Sequence, residues 1–404
     1  MKKTVTALYQ ICKLIPQHLV SKLAREHGVD KQSRTFTPWS HVVSMLYAHL
    51  GHCLSLNDIA DSLRLHEGYL KTIRQAVPPS RNGLSHANKI RSAEMAKDLF
   101  WSVLAHFRKI SPQFGYGHGY TGIPRRFKRT INAIDSTTIQ LAVNCIDWAT
   151  HRRRKAAVKA HVNLNVQTFL PSVIVLGTGS QHDATKAGSL CAGMKAGEIV
   201  IGDKAYVKFN YLCDLDQRGV FWVTRAKTDM AYEIIETRES TNCRILLDAD
   251  IVLTTPKTKA DYPQRFRLVR ALVEIDGKAR EMEFITNNME WAPMSICDLY
   301  KSRWAIEVFF KQMKQTLKLK DFLGNSESAV HWQIWMAMLA YVLLRFIKHA
   351  SKWTGSFSRL FTCIRAALWC RGDLYKLLDQ CLKRRTKPRP EQIYLPGFEP
   401  GVLL

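Results

Sequence analysis

The chain has 404 residues, 46% hydrophobic and 23% charged, enough for two or three packed domains and incompatible with an intrinsically disordered chain. Its 59 Lys and Arg outweigh 34 Asp and Glu, a net charge of +25, and a field of that size and single sign favours polyanionic partners, nucleic acid first. The 10 cysteines are scattered without a C-x-x-C pair, which excludes a zinc ribbon or thioredoxin-type site and fits reduced thiols in a cytosol.

The segment MKKTVTALYQICKLIPQHLV has charge but no long apolar run and no small-residue cleavage site, so no secretion signal is expected. Residues 1 to about 110 read as helical. Trp39 to Leu50 carries apolar positions at helical spacing. SLNDIADSLRLHEGYLKTIRQAV offers Ser55 or Asn57 as a cap ahead of Ile59, Leu63 and Leu70. A further helical run, Ala87 to Ile110, follows the break PPSRNGLS. Paired helices of this kind build either DNA-binding helix-turn-helix units or plain packing units; the charge tilts the expectation toward DNA. The glycine- and arginine-rich FGYGHGYTGIPRRFKRT then reads as a linker.

From Thr130 the period changes. TINAIDSTTIQLAV, AHVNLNVQ and PSVIVLGTG read as consecutive strands. HDATKAGSLCAGM is helix-like, EIVIGDKAY a short buried strand, YLCDLDQRG a helix end and VFWVTRAK another strand. This order predicts a mixed sheet with helices packed on it. Residues 229 to 290 are β-rich, with Asp276-Gly277 as the hairpin turn between FRLVRALVEI and KAREMEFITNN. Helices are predicted over Ile296 to Lys318 and Trp332 to His349. The longest apolar stretch, Ile334 to Ile347, contains Arg345 and is too short to span a bilayer, so no membrane partner is expected. The tail KRRTKPRPEQIYLPGFEPG is basic and proline-rich, and predicts an extended or disordered end.

The segment YKSRWAIEVFFKQMK carries the densest chemistry. On one helix, with Tyr300 at zero, Arg303 lies at about 300°, Glu307 at about 340° and Lys314 at about 320°. Leu299, Ile306, Phe309, Phe310, Met313 and Leu317 fall between about 180° and 280°, the core face. The polar stripe borders that face, half buried at a cleft. Glu307 can hold a metal there while Arg303 and Lys314 hold phosphate oxygens. The plain alternative is an ordinary helix with an Arg303–Glu307 pair at i, i+4. Asp135 closes the strand TINAID and Asp203 closes EIVIGD. Either could be a turn or cap residue. Together with Glu307, they form three carboxylates from separate elements, a set able to hold two divalent cations for in-line phosphoryl transfer.

IDSTTIQL, IGDKAY and the spacing Y-x2-R-x3-E-x6-K, with the TN of FITNN and the stretch LKLKDFLGNSESAVHWQIWMAMLAYVLL, resemble the insertion-sequence-four family of DDE transposases over roughly residues 10 to 350. The resemblance implies an α/β, ribonuclease H-like catalytic core, a mixed sheet with helices, in which the strands of Asp135 and Asp203 lie side by side. It divides the chain into a helical N-terminal DNA-binding domain at 1–115, a first part of the core at 125–228, a β-rich insertion at 229–290, a second part of the core at 291–350 and a C-terminal helical and basic tail at 351–404. Asp135, Asp203 and Glu307 are implied as catalytic ligands of two Mg²⁺ or Mn²⁺ ions. Tyr300, Arg303 and Lys314 are implied as contacts to phosphates of a transposon end. The implied activity is cut-and-paste transposition: binding of terminal inverted repeats, metal-dependent hydrolysis at the ends, and transfer of the 3′-hydroxyl into target double-stranded DNA. A homodimer in a synaptic complex and a bacterial cytoplasmic, nucleoid-associated location go with it.

There are departures. Lys204 stands where many relatives carry Arg, and Met282, with Phe284 nearby, stands where some carry a tryptophan that stacks on a base during hairpin formation. Two other readings share the residues: a ribonuclease H-like nuclease or resolvase that stops at hydrolysis, and a catalytically silent DNA-binding relative. Softer candidates are His182-Asp183, which falls in a family-like GSQHD stretch or simply caps a helix, Lys155, Lys159, Arg225 and Lys227 as backbone-phosphate contacts or solvated surface, and Trp222 as core.

The charge carries its own test. Affinity for non-specific duplex should fall about 10³-fold between 50 and 200 mM salt if some six phosphates are engaged. A binding constant nearly independent of salt, read by fluorescence anisotropy, would remove composition as a reason to expect DNA.

Overall fold

The computed structural model describes residues 5–31, 33–116, 127–141, 150–152, 155–178, 183–275, 277–319 and 323–383. Helices come first: α1 (Ala7–Lys13), α2 (Gln17–Glu26), α3 (Pro38–Gly51), α4 (Leu56–Leu65), α5 (Glu67–Thr72), α6 (Arg81–Ile90), α7 (Ala93–Ile110) and α8 (Pro112–Tyr116). Short polar residues start several of them. Thr6, Thr37 and Ser80 each accept a backbone N–H three residues on, and Ser55 forms a full capping box with Asp58.

The reading of 87–110 as one helix is corrected here. Residues 81–90 form α6, capped by Ser80 inside the supposed break, and the chain interrupts at Arg91, whose backbone is extended. Tertiary bonds explain the stop. The Arg91 carbonyl accepts from Ser328 Oγ at 2.7 Å and Trp332 Nε1 at 2.9 Å, and its guanidinium donates to Phe36 O and Thr37 O. Those acceptors outweigh the local helical preference.

The strands β1 (Ile131–Leu141), β2 (Thr150–Arg152), β3 (Lys155–Asn165) and β4 (Leu170–Thr178) lead to helix α9 (Ala187–Cys191), strand β5 (Ile199–Gly202), helix α10 (Phe209–Gln217) and strand β6 (Phe221–Arg225). The sheet continues through β7 (Tyr232–Thr237), β8 (Ile245–Leu253), the short helix α11 (Pro256–Asp261), β9 (Phe266–Ile275) and β10 (Lys278–Thr286). Strand order is β2-β3-β1-β5-β6-β10-β9-β8-β7, with β4 on β3. Strands β1, β5 and β6 are mutually parallel, whereas β3 and β4 are antiparallel neighbours. The β-rich residues 232–286 extend this same sheet, because β10 pairs antiparallel with β6. The β9–β10 register, Ile275 opposite Lys278, closes the expected tight hairpin, and Gly277 adopts φ +72°, a left-handed turn that glycine enters without strain. Asp276 lies outside the described residues.

Two details differ from the sequence reading. Strand β1 does not end at Asp135. It runs on to Leu141 because β3 keeps pairing with it, from Asp135↔Val162 to Leu141↔Ala156. Its other neighbour, β5, stops at Ile134↔Gly202, so Asp135 is the first residue of β1 with an open flank. The expected helix 296–318 is also divided, into α12 (Pro293–Ser302), α13 (Trp304–Lys311) and a π-helical turn, Gln312–Thr316. Ser302 Oγ donates back to Leu299 O at 2.6 Å, and around Arg303 the backbone bonds close over three residues, Arg303 N to Tyr300 O and Ile306 N to Arg303 O. Such side-chain competition tightens and bends a helix.

Helices α14 (Glu327–Ala350), α15 (Phe357–Ala367) and α16 (Leu374–Lys383) complete the chain. Helix α14 is long and apolar enough to cross a membrane, but 89% of that window is buried inside the protein. It packs on α3, α6 and α7, so one continuous hydrophobic cluster runs from Ala7 to Leu378 through one face of the sheet. The other face is covered by α9 and α10 over Ile134, Val200 and Trp222; Trp222 is core, as its sequence suggests.

Two histidines sit in this core. His41 lies against Trp332, with Nε2 2.7 Å from Asn88 Oδ1, and burial and then Arg91 push its pKa down to about 3. Burial pushes His49 down to about 4, although the carbonyls of Leu317 and Gln333, 3.1 and 3.0 Å from its ring nitrogens, oppose that. Folding thus holds both rings neutral. Between pH 6.5 and about 4 the unfolded chain binds more protons, so stability falls as pH falls through that window. From pH 7 to 5 the loss should be roughly 2 kcal/mol for each ring. A melting temperature that stays flat over that range contradicts neutral buried imidazoles at these positions.

Candidate active site

Asp135 and Asp203 become neighbours through one stretch of parallel pairing, which sets Ile134 beside Gly202. Each carboxylate is fixed by the next amide. Ser136 N donates to Asp135 Oδ1 at 2.7 Å, and Lys204 N donates to Asp203 Oδ1 at 2.8 Å as the chain turns into the 3-10 segment Lys204–Tyr206.

Helices α12 and α13 lie over these strands and deliver the predicted stripe. Tyr300 Oη donates to Asp203 Oδ1 at 3.2 Å. Arg303 donates through one terminal nitrogen to Asp135 Oδ2 at 3.2 Å and through the other to Glu307 Oε1 at 2.5 Å. Lys314, in the π turn, donates to the carbonyl of Thr138 on β1 at 2.8 Å. All six candidate residues therefore meet around the open flank of β1. The surface-pair reading of Arg303 and Glu307 does not hold: the pair exists, but Arg303 is 17% exposed and also binds a carboxylate 168 residues away.

The electrostatics follow from this crowding. Burial pushes Asp135 up to about 6; its bond from Ser136 and the Arg303 charge oppose this, and Asp203 and Glu307 add to it. Burial raises Tyr300 to about 12. Burial alone would lower Arg303, yet Tyr300, Asp135, Glu307 and Asp203 together raise it, so the guanidinium stays charged. Its Nε is buried with no hydrogen-bond partner, and its plane sits 5.7 Å from the Tyr300 ring centre. A planar fork whose Nε–H is unused can still take up an anion.

The donor set fits hard divalent cations: three carboxylates and no thiolate or imidazole, with burial and, after it, the charges of Asp203 and Glu307 lifting Asp135. Among the described residues no three acidic, His or Cys side chains are gathered closely enough to ligate one ion. Arg303 stands between Asp135 and Glu307 instead.

Other candidates fare differently. Lys159 pairs with Asp183 at 2.8 Å, Arg225 lies close enough to Tyr300 to act on its charge, and Lys227 lines a cleft of about 480 Å³ with Lys208 and Lys257. His182 lies outside the described residues, as does the side chain of Lys155. Met282 and Phe284 are both buried, and the Phe284 ring packs 5.0 Å from Tyr300. Trp304, missed in the sequence, is 64% exposed directly after Arg303; its signal was an aromatic residue beside the stripe but off the apolar face.

Comparison with known proteins places residues 126–343 in a family described as transposase DDE domain, and residues 3–73 in a domain family of unknown function. The chain is similar to a probable transposase for insertion sequence element IS5377 of Geobacillus stearothermophilus, 26% identical over 87% of each chain. It is similar to a putative transposase, y4zB, of Sinorhizobium fredii, 29% identical over 62% of this chain and 70% of that one. It also resembles a putative transposase for IS4SA of Synechocystis, 23% identical over 47% of this chain and 53% of the other. The likeness to a solved piggyBac transposase synaptic complex with hairpin DNA, TM-score 0.47 at 12% identity over 100% of this chain and 88% of that one, is too slight to bear on fold or DNA.

Proposed function

The chain belongs to the transposase DDE domain family, and from that premise we propose a cut-and-paste DNA transposase whose catalytic residues are Asp135, Asp203 and Glu307. It binds the terminal inverted repeats of its element, hydrolyses the phosphodiester at each end and transfers the 3′-hydroxyl into target double-stranded DNA, working as a homodimer in a synaptic complex in the bacterial cytoplasm. The observation that carries this reading is the half-buried guanidinium of Arg303, joined to Asp135 and Glu307 with Nε unused. A hydrolytic nuclease needs the carboxylates. It has less use for a row of phenol, guanidinium and ammonium leading away from them, which suits an end that must be held after cutting and then joined.

The strand order β4-β3-β1-β5-β6, three antiparallel strands followed by two parallel ones, supports a ribonuclease H-like core built from residues 125–228 and 291–350. On this reading residues 229–290 are its insertion, 1–115 the DNA-binding region and 351–404 the tail.

Asp135, Asp203 and Glu307 would hold two Mg²⁺ or Mn²⁺ ions. Bound there, the ions supply Lewis-acid stabilisation of the charge on the transferring phosphoryl group. The chain's own residues do the positioning. The amides of Ser136 and Lys204 fix one oxygen of each aspartate, leaving the second oxygen for a ligand. Arg303 exchanges its carboxylate partners for a DNA phosphate, which it can grip with two parallel N–H bonds. Tyr300 and Lys314 hold the backbone on either side of it. The ring of Tyr300 stays uncharged below pH 10 because burial raises its pKa, so it donates its O–H rather than repelling phosphate.

Asp135→Asn, Asp203→Asn and Glu307→Gln should each abolish Mg²⁺- or Mn²⁺-dependent cleavage of end-containing DNA while leaving end binding intact, since each keeps shape and removes a ligand charge. Parental cleavage rates in all three would defeat the catalytic assignment. Arg303→Ala and Lys314→Ala should weaken the hold on pre-cleaved ends and slow strand transfer by roughly 10–100-fold, the loss of one charge-assisted contact. Arg303→Lys should rescue only partly, because an ammonium cannot make the bidentate grip. Full strand transfer with Lys at this position, measured beside an unchanged melting temperature, would reduce Arg303 to an ion-pair partner.

A further inference from the structure

Successive residues of a strand point to opposite faces. On β1, Asp135 faces α13, where it meets Arg303. Ser136 faces the other way, into a polar cluster on the back of the sheet. Ser136 Oγ donates to Asp183 Oδ1 at 2.6 Å. The same oxygen receives Lys159 Nζ at 2.8 Å and lies 3.6 Å from His161 Nδ1. The β1–β3 register explains the gathering: Ser136 sits opposite His161 and Thr138 opposite Lys159, so all four side chains share the back face. Asp183 comes from the 3-10 turn Asp183–Thr185, between β4 and α9.

This cluster contributes little as a stabilising device. The Lys159 and Asp183 side chains are 15% and 23% exposed, and a largely desolvated ion pair gains little net stability over apolar packing. His161 is fully buried with neither ring nitrogen hydrogen-bonded, which is unfavourable by itself. What the cluster does provide is direction. Ser136 is held at the back by its hydroxyl and at the front by its amide, which donates to Asp135 Oδ1 at 2.7 Å.

We propose that Asp183 is a positioning residue for Asp135, acting through Ser136: its carboxylate fixes Ser136 from behind the sheet, and the Ser136 amide in turn fixes which oxygen Asp135 presents to the site. This rests on Asp135 being catalytic. Asp183 itself touches neither DNA nor the reacting phosphate, because it lies on the opposite face of β1.

The test is single-turnover cleavage of an end duplex, with end affinity measured alongside, for Ser136→Ala, Asp183→Ala, Asp183→Asn and the Ser136→Ala/Asp183→Ala double variant. Groups that orient a catalytic ligand typically change activity 10–100-fold when lost. The cleavage rate should fall by about that factor in Ser136→Ala and in Asp183→Ala, with the dissociation constant for ends unchanged. The double variant should be no slower than the slower single, since both act through one bond. Asp183→Asn should retain more activity than Asp183→Ala, because the amide oxygen still accepts from Ser136. Cleavage within about twofold of parental in Ser136→Ala, or losses that multiply in the double variant, overturns the proposal. Should Asp183→Ala fail to fold, the rate and affinity of Ser136→Ala decide alone. Asp135→Asn separates the two levels: if it abolishes cleavage while Ser136→Ala is parental, only the positioning role falls; if it cleaves at the parental rate, the catalytic reading falls with it.

Discussion

A single guanidinium holds the site together. Three carboxylates brought to one half-buried place repel one another, and burial, with the charges of Asp203 and Glu307 behind it, lifts Asp135 to about 6 even with Arg303 beside it. Arg303 makes the arrangement tolerable by binding Asp135 with one nitrogen and Glu307 with another. In doing so it ties α13 to β1 across 168 residues of sequence. Removing Arg303 would leave two partly buried carboxylates without their shared cation, a costly way to disturb such a group.

The helical N-terminal region takes part in this site rather than standing apart from it. The ring nitrogens of His49 lie 3.1 and 3.0 Å from the carbonyls of Leu317 and Gln333, to one of which the neutral ring can donate, and the ring of His52 lies 2.7 Å from the carbonyl of Thr316. Both therefore hold the π-helical turn that carries Lys314, against α14. A π turn widens the helix by one residue and often marks a functional position. Here it swings the Lys314 ammonium back onto the Thr138 carbonyl of β1. Whatever binds the helical region acts on a scaffold in direct hydrogen-bond contact with the end of the stripe.

Much of this was legible in the sequence. TINAIDSTTIQL and the apolar EIVIG placed two strands, each read as closed by its aspartate, which holds for Asp203 and fails for Asp135 in the middle of β1, and the helical phase of Tyr300, Arg303, Glu307 and Lys314 placed them on one side. What the sequence hid is tertiary. Read whole, TINAIDSTTIQLAV is one strand that passes Asp135, but the sequence could not show that β5 would stop pairing at Ile134 and leave Asp135 the first residue with an open flank. Nor could it show the breaks at Arg91 and Arg303, since both positions look helical and yield to bonds made with distant carbonyls or neighbouring hydroxyls. The joining of residues 232–286 to the main sheet depends on β10 choosing the edge of β6, which no local pattern encodes. Asp183 and Lys159 were each candidates in the sequence, but their meeting was hidden for a related reason: only the β1–β3 register puts Lys159 on the same face as Ser136.

The most direct measurement is anomalous diffraction from Mn²⁺ in crystals of the protein bound to a duplex carrying its terminal repeat. Manganese should appear between Asp135, Asp203 and Glu307, with the Arg303 guanidinium off both carboxylates and on a DNA phosphate. Manganese bound elsewhere, or Arg303 still joined to Asp135 and Glu307 with the DNA end in place, would contradict a catalytic site built on these three residues.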